Sequence, residues 1–156
     1  MSSLELLKEN SSFLLQSIEE KPYDNSLSSK KIGYQLLDFM YSNDGIGLSA
    51  NQVGLNYRMF VMGDKDVQYI CWNPQILEYS GNLVEKMEGC LSFPNLFFNV
   101  ERSEQIKVCY LNEYGLQITR NLSDTWSHCF QHELDHLNGI LFTHKTSKLK
   151  LGMALK

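Results

Sequence analysis

Two histidines and a glutamate in the segment Gln-His-Glu-Leu-Asp-His, residues 131–136, are the side chains of this 156-residue chain whose spacing best suits chemistry. Residues four apart lie one above the other on a helix, so His132 and His136 can bind a single metal ion. Glu133 stands beside them, where a carboxylate can take a proton from a water molecule that the metal activates. The spacing therefore predicts a metal-dependent hydrolase.

A metal ion that does chemistry needs a third protein ligand and one open position. Cys129 lies on the same helical face, but it precedes His136 by about 10 Å of helix, which is too far for a shared ion. His144 does not complete a metzincin pattern, because that pattern needs histidine at position 142, where this chain has phenylalanine. Cys90 is the best remaining donor, since Gly89 lets backbone and thiol approach a metal closely. Spacing alone leaves this ligand open.

Three short motifs occur in order along the chain. They are Gly-x-Gly-x-x-Ala-x-Gln at residues 45–52, Glu-Gly-Cys-Leu-Ser at residues 88–92 and Gln-His-Glu-x-Asp-His at residues 131–136. The glycines of the first motif suit a loop that passes close to a bound ligand. Together the three motifs closely resemble those of the peptide deformylase family, and the resemblance extends over about residues 30–143.

The resemblance implies a role for each matching residue. The metal ligands would be Cys90, His132 and His136. Glu133 would be the general acid and base. The side-chain amide of Gln52 and the backbone N–H of Leu91 would stabilise the oxyanion that forms during the reaction. Departures from the family pattern, such as Ser49 where alanine is usual, remove none of these reactive groups.

The resemblance also implies a substrate and a cofactor. Members of the family remove the formyl group from N-formylmethionyl peptides of newly made proteins and release formate. Gly47 and Gly89 would line the channel for the extended peptide, and Ile46 and Cys129 would face the methionine side chain. The family suggests Fe²⁺ as the metal in the cell, while Zn²⁺, Ni²⁺ or Co²⁺ also suit two imidazoles and a thiolate in purified protein.

The surroundings of the metal ligands are a further prediction. A metal-bound histidine usually donates its second ring N–H to a carboxylate or carbonyl. Glu88 is the candidate, with Arg102 as its counter-ion, and the alternative is an ordinary surface pair. His128 continues the stripe of His132 and His136 four residues earlier. It either polarises the edge of the methionine pocket or faces solvent.

Charge and composition limit the partners. A formal net charge of −4 gives no electrostatic footprint for nucleic acid, and no apolar run approaches the roughly 18–20 residues that span a bilayer. The N-terminus lacks the basic region and apolar core of a secretory signal. We therefore expect a cytoplasmic monomer without a direct nucleic-acid or membrane partner. The four cysteines form no C-x-x-C pair, and Cys71 and Cys109 are predicted core residues.

Hydrophobic spacing predicts an α+β fold of antiparallel β-sheets packed around a central helix that carries the metal ligands, as a single catalytic domain of residues 1–156. Helices are predicted at residues 28–43, with Ser28 or Ser29 as the N-cap, and at residues 124–138 with Gly139 as the stop. The predicted strands cover residues 57–62, 67–72, 76–79, 106–111 and 116–121. The chain resembles a short form of the family without the long C-terminal helix. Its basic tail, residues 145–156, is expected to be a short helix or disordered, and its charge is a weak indication of a ribosome contact.

Two other functions share some of these features. A zincin-like peptidase would use the same helix to cleave internal peptide bonds, but Cys90 and the Gln52 loop do not match it. A non-catalytic binder of formylated peptides, or a structural metal protein, would carry a fourth protein ligand or lack a functional Glu133. Metal binding without hydrolysis would favour that alternative.

Overall fold

The structure, a computed structural model, describes residues 3–154, without the side chains of residues 148–150. The helices and strands, in chain order, are α1 (Leu27–Ser42), β1 (Gly47–Ser49), β2 (Met59–Gly63), β3 (Gln68–Tyr79), β4 (Leu83–Cys90), β5 (Phe93–Ser103), β6 (Gln105–Leu111), β7 (Gln117–Ser123), α2 (Asp124–Leu137) and α3 (Lys148–Ala154). Three short 3-10 helices lie at Ser12–Leu15, Ala50–Val53 and Phe142–Lys145. No helix in the described part of the chain is long and apolar enough to cross a membrane.

Two antiparallel sheets carry the fold. The larger has the strand order β1-β2-β3-β6-β7, and the smaller is the β4-β5 hairpin. Within the larger sheet, β1 is an edge strand of three residues. The predicted α+β class with antiparallel sheets is confirmed.

The larger sheet is covered on both faces at β2, where successive side chains point to opposite sides and pack into different clusters. Along β2, Phe60 and Met62 join the cluster that packs against α2, whereas Met59 and Val61 join the cluster that packs against α1. All five residues of β2 are buried. A third cluster lies under the hairpin and consists of Leu96, Phe98, Val100 and Phe142. Helix α2 also contacts β5, so it lies between the larger sheet and the hairpin.

Helix α2 has the predicted extent. It begins at Asp124, and its last turn is closed by Gly139, whose φ of +73° is the left-handed conformation that glycine adopts easily. The N–H of Gly139 donates to the carbonyl of His136 at 3.0 Å, and the N–H of Ile140 donates to Asp135 at 2.9 Å. These hydrogen bonds close the last turn of α2, which ends at Leu137, one residue after the last histidine of the motif.

The hairpin was not among the predicted strands, although it carries Cys90 at the end of β4. One of its faces is open to solvent and still bears large apolar side chains, with Leu83 62%, Met87 63% and Phe97 58% exposed. Because apolar residues occupy both faces, the alternation that predicts a half-buried strand is blurred. The sequence pattern therefore predicted no strand on either side of Cys90.

Three smaller predictions were wrong. The strands expected at residues 67–72 and 76–79 form one continuous β3, in which Pro74 lies at a bulge that tolerates a residue without an N–H. The N-cap of α1 is Ser26, whose side chain accepts a hydrogen bond from the N–H of Ser29 at 3.3 Å. Cys71 is fully buried as expected, but Cys109 is only half-buried, because it points to the opposite side of β6 from Val108 and Tyr110, which pack in the cluster against α2.

The basic tail forms a short helix, which was one of its two predicted states. In α3, Leu151 and Ala154 pack against the cluster under the hairpin. Residues 155 and 156 of the tail lie outside the described residues.

Candidate active site

Three predicted ligands converge from two elements. His132 and His136 lie one turn apart on α2, and the end of β4 brings Cys90 to them. One ligand atom from each of these residues lies within 4.8 Å of the other two, and Cys90 Sγ is 3.3 Å from His136 Nε2. Among the described residues, this is the group of histidine, cysteine and acidic side chains close enough to hold a metal ion.

The chemistry of these donors suits a divalent cation. Burial holds the pKa of His136 well below its usual value, so the imidazole stays neutral and keeps a lone pair for a metal. Two imidazoles and a thiolate form the three-ligand set that leaves one position open in catalytic sites. Cys129 lies outside this group, and burial keeps its pKa well above the usual value for a thiol. The exclusion of Cys129 as a ligand agrees with the structure.

Glu88 orients His132, as predicted. Glu88 Oε1 lies 2.8 Å from His132 Nδ1, so the other ring nitrogen of His132 is left for the metal group. Arg102 donates two hydrogen bonds to the same carboxylate and a third to Asp135 at 2.8 Å. Burial by itself would raise the pKa of Glu88, but the hydrogen bonds from His132 and Arg102 outweigh it and lower the pKa to about 2.

The Glu88 and Arg102 pair is buried, with exposed fractions of 9% and 5%, so the alternative of an ordinary surface pair is wrong. We expect Glu88→Gln to weaken metal binding about 10- to 100-fold, the usual effect of removing a partner of a metal-bound histidine. The measurement is competition with a chromophoric chelator. The exposed Glu78→Gln serves as the matched control, and equal metal affinity in both variants would contradict the orienting role.

Glu133 lies beside the metal group, on the helix turn between its two histidines. The carboxylate is 3% exposed, and its Oε2 has no hydrogen-bond partner among the described residues. Burial raises its pKa to about 7. Strand β1 passes so close that a Cβ added to Gly47 would lie 2.5 Å from Glu133 Oε1. Only glycine lets this strand pack against the carboxylate.

Gln52 points its amide N–H₂ toward the metal group. Its Oε1 accepts hydrogen bonds from the backbone N–H and the hydroxyl of Ser49, both at 2.9 Å. Its Nε2 therefore faces the other way, where it lies 2.9 Å from Ser92 Oγ and 3.5 Å from Cys90 Sγ. The amide is 1% exposed, so these contacts fix its orientation.

A cavity of about 600 Å³ opens beside these groups. Its lining includes all the predicted substrate residues, namely Ile46, Gly47, Gly89 and Cys129, together with Leu91. Cys129 donates through its thiol to the carbonyl of Ile46 at 3.6 Å, which ties α2 to the start of β1. A Cβ at Gly89 would overlap the ring of Phe97 across the hairpin. A side chain at either glycine would therefore collide with a neighbouring side chain of the cavity lining.

His128 lines the same cavity and is 5% exposed, so the solvent-facing alternative is wrong. Neither of its ring nitrogens has a hydrogen-bond partner in the described part of the chain. The carboxylate oxygen Glu88 Oε2 lies 3.9 Å from His128 Nδ1, beyond hydrogen-bonding distance.

Several supporting residues were not predicted from the sequence. Ser49 sets the orientation of the Gln52 amide, and Asn51 donates to the carbonyl of His136 at 2.7 Å, which ties the first motif to the end of α2. Lys86 lines the cavity. The signal for Ser49 and Gln52 was the Ser-x-x-Gln spacing of a capping box, here found at the 3-10 helix Ala50–Val53.

Known proteins agree with this geometry. The profile of the polypeptide deformylase family matches residues 4–151. A peptide deformylase of Thermotoga maritima is 41% identical over 128 residues, which are 82% of this chain and 77% of the relative. A peptide deformylase of Agrobacterium fabrum is 37% identical over 131 residues, which are 81% of this chain and 77% of that relative.

Solved structures show the same similarity. The peptide deformylase of Synechococcus elongatus in complex with actinonin has a TM-score of 0.92 and 35% identity, covering 97% of this chain and 84% of that one. A peptide deformylase from Legionella pneumophila has a TM-score of 0.91 and 31% identity, covering 99% of this chain and 92% of that one. Since sequence profile, relatives and backbone all agree over nearly the whole described chain, the chain belongs to the peptide deformylase family.

Proposed function

We propose that this chain hydrolyses the N-terminal formyl group of N-formylmethionyl peptides through Glu133, Gln52 and the backbone N–H of Leu91, beside a metal held by three ligands. The observation that carries the proposal is the convergence of ligand atoms of Cys90, His132 and His136 within 4.8 Å of one another, beside the cavity that Glu133 and Gln52 line. The reaction adds one water to the formamide and yields formate and a free amine.

Cys90, His132 and His136 would hold the metal, because a thiolate and two imidazoles form a three-ligand set of the kind found in catalytic sites. A divalent cation bound there would supply a Lewis acid that lowers the pKa of water to about 7. We propose Fe²⁺ as the metal in the cell, with Zn²⁺, Ni²⁺ or Co²⁺ as substitutes in purified protein, since this donor set accepts all four.

Glu133 is the group that moves the proton. Its carboxylate faces the cavity with Oε2 free of any described partner, so it can accept the proton of the attacking water. It then returns the proton to the nitrogen as the carbon–nitrogen bond breaks. Because Glu133 is not a ligand, this role does not compete with metal binding.

The amide of Gln52 stabilises the charge that gathers on the formyl oxygen as its carbon becomes tetrahedral. Ser49 holds the amide so that its N–H₂ points into the site before the substrate arrives. A donor fixed in this way needs no reorganisation at the moment of reaction. The N–H of Leu91, next to Cys90 in the chain, would supply a second donor.

Replacing Gln52 with leucine is expected to lower kcat about 100- to 1000-fold with a smaller change in KM, because the lost donor acts mainly in the transition state. Steady-state formate release measures both constants. Gln68→Leu, at an exposed position of β3, is the matched control. A Gln52→Leu enzyme that kept kcat within a few-fold of the parent would remove Gln52 from the oxyanion site.

The peptide itself would lie extended between β1 and β4. β1 is the edge of the larger sheet, and Gly47 and Gly89 keep side chains out of the groove. Backbone pairing with a strand edge tolerates many sequences, which suits an enzyme that meets many nascent chains. Ile46 and Cys129 would contact the methionine side chain.

We further propose that residues 1–156 form one catalytic domain that works as a cytoplasmic monomer.

The ribosome is a second partner to test. The basic tail that includes α3 would contact the ribosome through its lysines, an interaction that weakens with salt. A tail deletion that leaves ribosome binding unchanged in co-sedimentation would exclude this contact without affecting the rest of the proposal.

The decisive experiment is formate release from formyl-Met-Ala-Ser by anaerobically purified protein reconstituted with Fe²⁺, Ni²⁺ or Zn²⁺. Metal-dependent formate supports the proposed reaction. A folded, metal-loaded protein that releases no formate would overturn it, and cleavage of unformylated peptides by the same sample would indicate a peptidase.

A further inference from the structure

The cavity lining also includes Lys86, Thr125 and His128, and this polar part of the lining is called the polar end of the cavity. His128 lies one turn before His132 on α2, and Thr125 lies about 10 Å of helix before the same histidine. Lys86 shares a face of β4 with Glu88, because side chains two apart on a strand point to the same side. All three side chains are polar, whereas the methionine side chain of the proposed substrate is apolar.

His128 is buried, and neither of its ring nitrogens has a hydrogen-bond partner among the described residues. Burial and the nearby Lys86 ammonium both lower its pKa, so the ring is neutral and carries one N–H donor. A buried polar group without a hydrogen bond typically costs about 1–3 kcal/mol. A ligand that offers an acceptor at this end of the cavity would remove that cost.

Lys86 is a second donor at the same end. It is half-buried, and in residues 3–154 no carboxylate lies within ion-pair distance of its ammonium. The Glu88 carboxylate nearby is already occupied by Arg102 and His132. The end of the cavity therefore presents an ammonium and an imidazole with unused hydrogen-bonding capacity.

The thioether of methionine uses these donors poorly, because its sulfur is a weak acceptor. Oxidation to the sulfoxide turns the same side chain polar and adds an oxygen at the sulfur. With the methionine side chain against Ile46 and Cys129, as proposed, the sulfoxide oxygen can approach Lys86 and His128, which line the same cavity.

We propose that Lys86 and His128 let this chain deformylate peptides that begin with N-formylmethionine sulfoxide, in addition to those that begin with N-formylmethionine. This inference rests on the proposed deformylase function and names a second substrate class for the same site. In the reaction, the oxygen of water bonds to the formyl carbon and the carbon–nitrogen bond breaks. A proton passes to the amine, formate leaves, and the sulfoxide is neither reduced nor oxidised.

The test compares kcat/KM for three substrates: formyl-Met-Ala-Ser, its methionine sulfoxide analogue and its norleucine analogue. Norleucine keeps the shape of methionine without sulfur. We expect the sulfoxide peptide to be cleaved within about tenfold of the methionine peptide. The Lys86→Met/His128→Leu double variant should lower the sulfoxide-to-methionine ratio by about tenfold or more, the equivalent of one hydrogen bond to a charged group.

Lys107→Met is the matched control, because Lys107 is a half-buried strand lysine of β6 far from this cavity. An unchanged ratio in the double variant, or wild-type discrimination against the sulfoxide by more than about 100-fold, would overturn the inference. The methionine peptide reports separately on the proposed function. If it were not cleaved, calorimetric binding of the product peptides Met-Ala-Ser and Met(O)-Ala-Ser would still decide whether the pocket accepts the sulfoxide.

Discussion

Formate release is expected to fall about 100- to 10 000-fold when Glu133 is replaced with alanine, the usual range for loss of a general acid and base. The variant should keep its full metal content, because Glu133 is not one of the three clustered ligands. It should also melt at an equal or higher temperature, since the replaced carboxylate is 3% exposed and its Oε2 has no partner among the described residues. Burial of such a group is unfavourable.

Three measurements on one preparation separate the explanations for this loss. They are the rate of formate release, metal content after dialysis and thermal unfolding. The exposed Glu101→Ala is the matched control. A Glu133→Ala variant that lost its metal or unfolded early would point to a structural role for this carboxylate, and one that kept its rate would exclude it from the reaction.

The helix that carries the motif was predictable to within one residue at its C-terminal end. Its ligands recur at helical spacing, and the glycine at position 139 marks the stop by its left-handed backbone. Both signals are local, because they depend on side chains within one or two turns of each other. The order of the antiparallel strands in the larger sheet required pairing between distant segments, and the sequence did not supply it.

The hairpin shows why the position of Cys90 beside the histidines could not be predicted from local sequence patterns. Cys90 reaches the histidines because β4 pairs with β5 and Phe98 of the hairpin stacks on Phe142, in the 3-10 helix after α2, with ring centroids 4.6 Å apart. The contact between Phe98 and Phe142 joins residues more than forty positions apart. Local spacing therefore left Cys90 open as a ligand, and the resemblance to a family was needed to single it out.

Burial in the structure distinguishes between the alternative roles of those residues whose sequence spacing was ambiguous. The sequence allowed Glu88 and Arg102 to be a surface pair and His128 to face solvent, because helix and strand positions alone do not say which face is covered. In the structure all three are buried beside the metal group. The amide orientation of Gln52 was equally hidden, since it depends on the hydroxyl of Ser49.

Replacing Cys90 with alanine should lower metal affinity by more than the roughly 10- to 100-fold expected from an outer partner of a ligand, because one of the three donor atoms is lost. Activity should fall in parallel at low metal concentration. His132 and His136 would remain, and Glu88 would still orient His132 through the 2.8 Å contact between Glu88 Oε1 and His132 Nδ1. The variant would therefore keep two of the three ligands in place. Metal content after dialysis and chelator competition measure the effect.

Cys109→Ala is the matched control for this variant, since Cys109 is a half-buried cysteine of β6 outside the metal group. The control should keep the parental metal affinity. A Cys90→Ala protein that held metal as tightly as the control would show that the thiolate is not a ligand. The strand end of β4 would then act only as a wall of the cavity, and the third donor would have to come from a side chain or backbone group outside the cluster that the structure brings together.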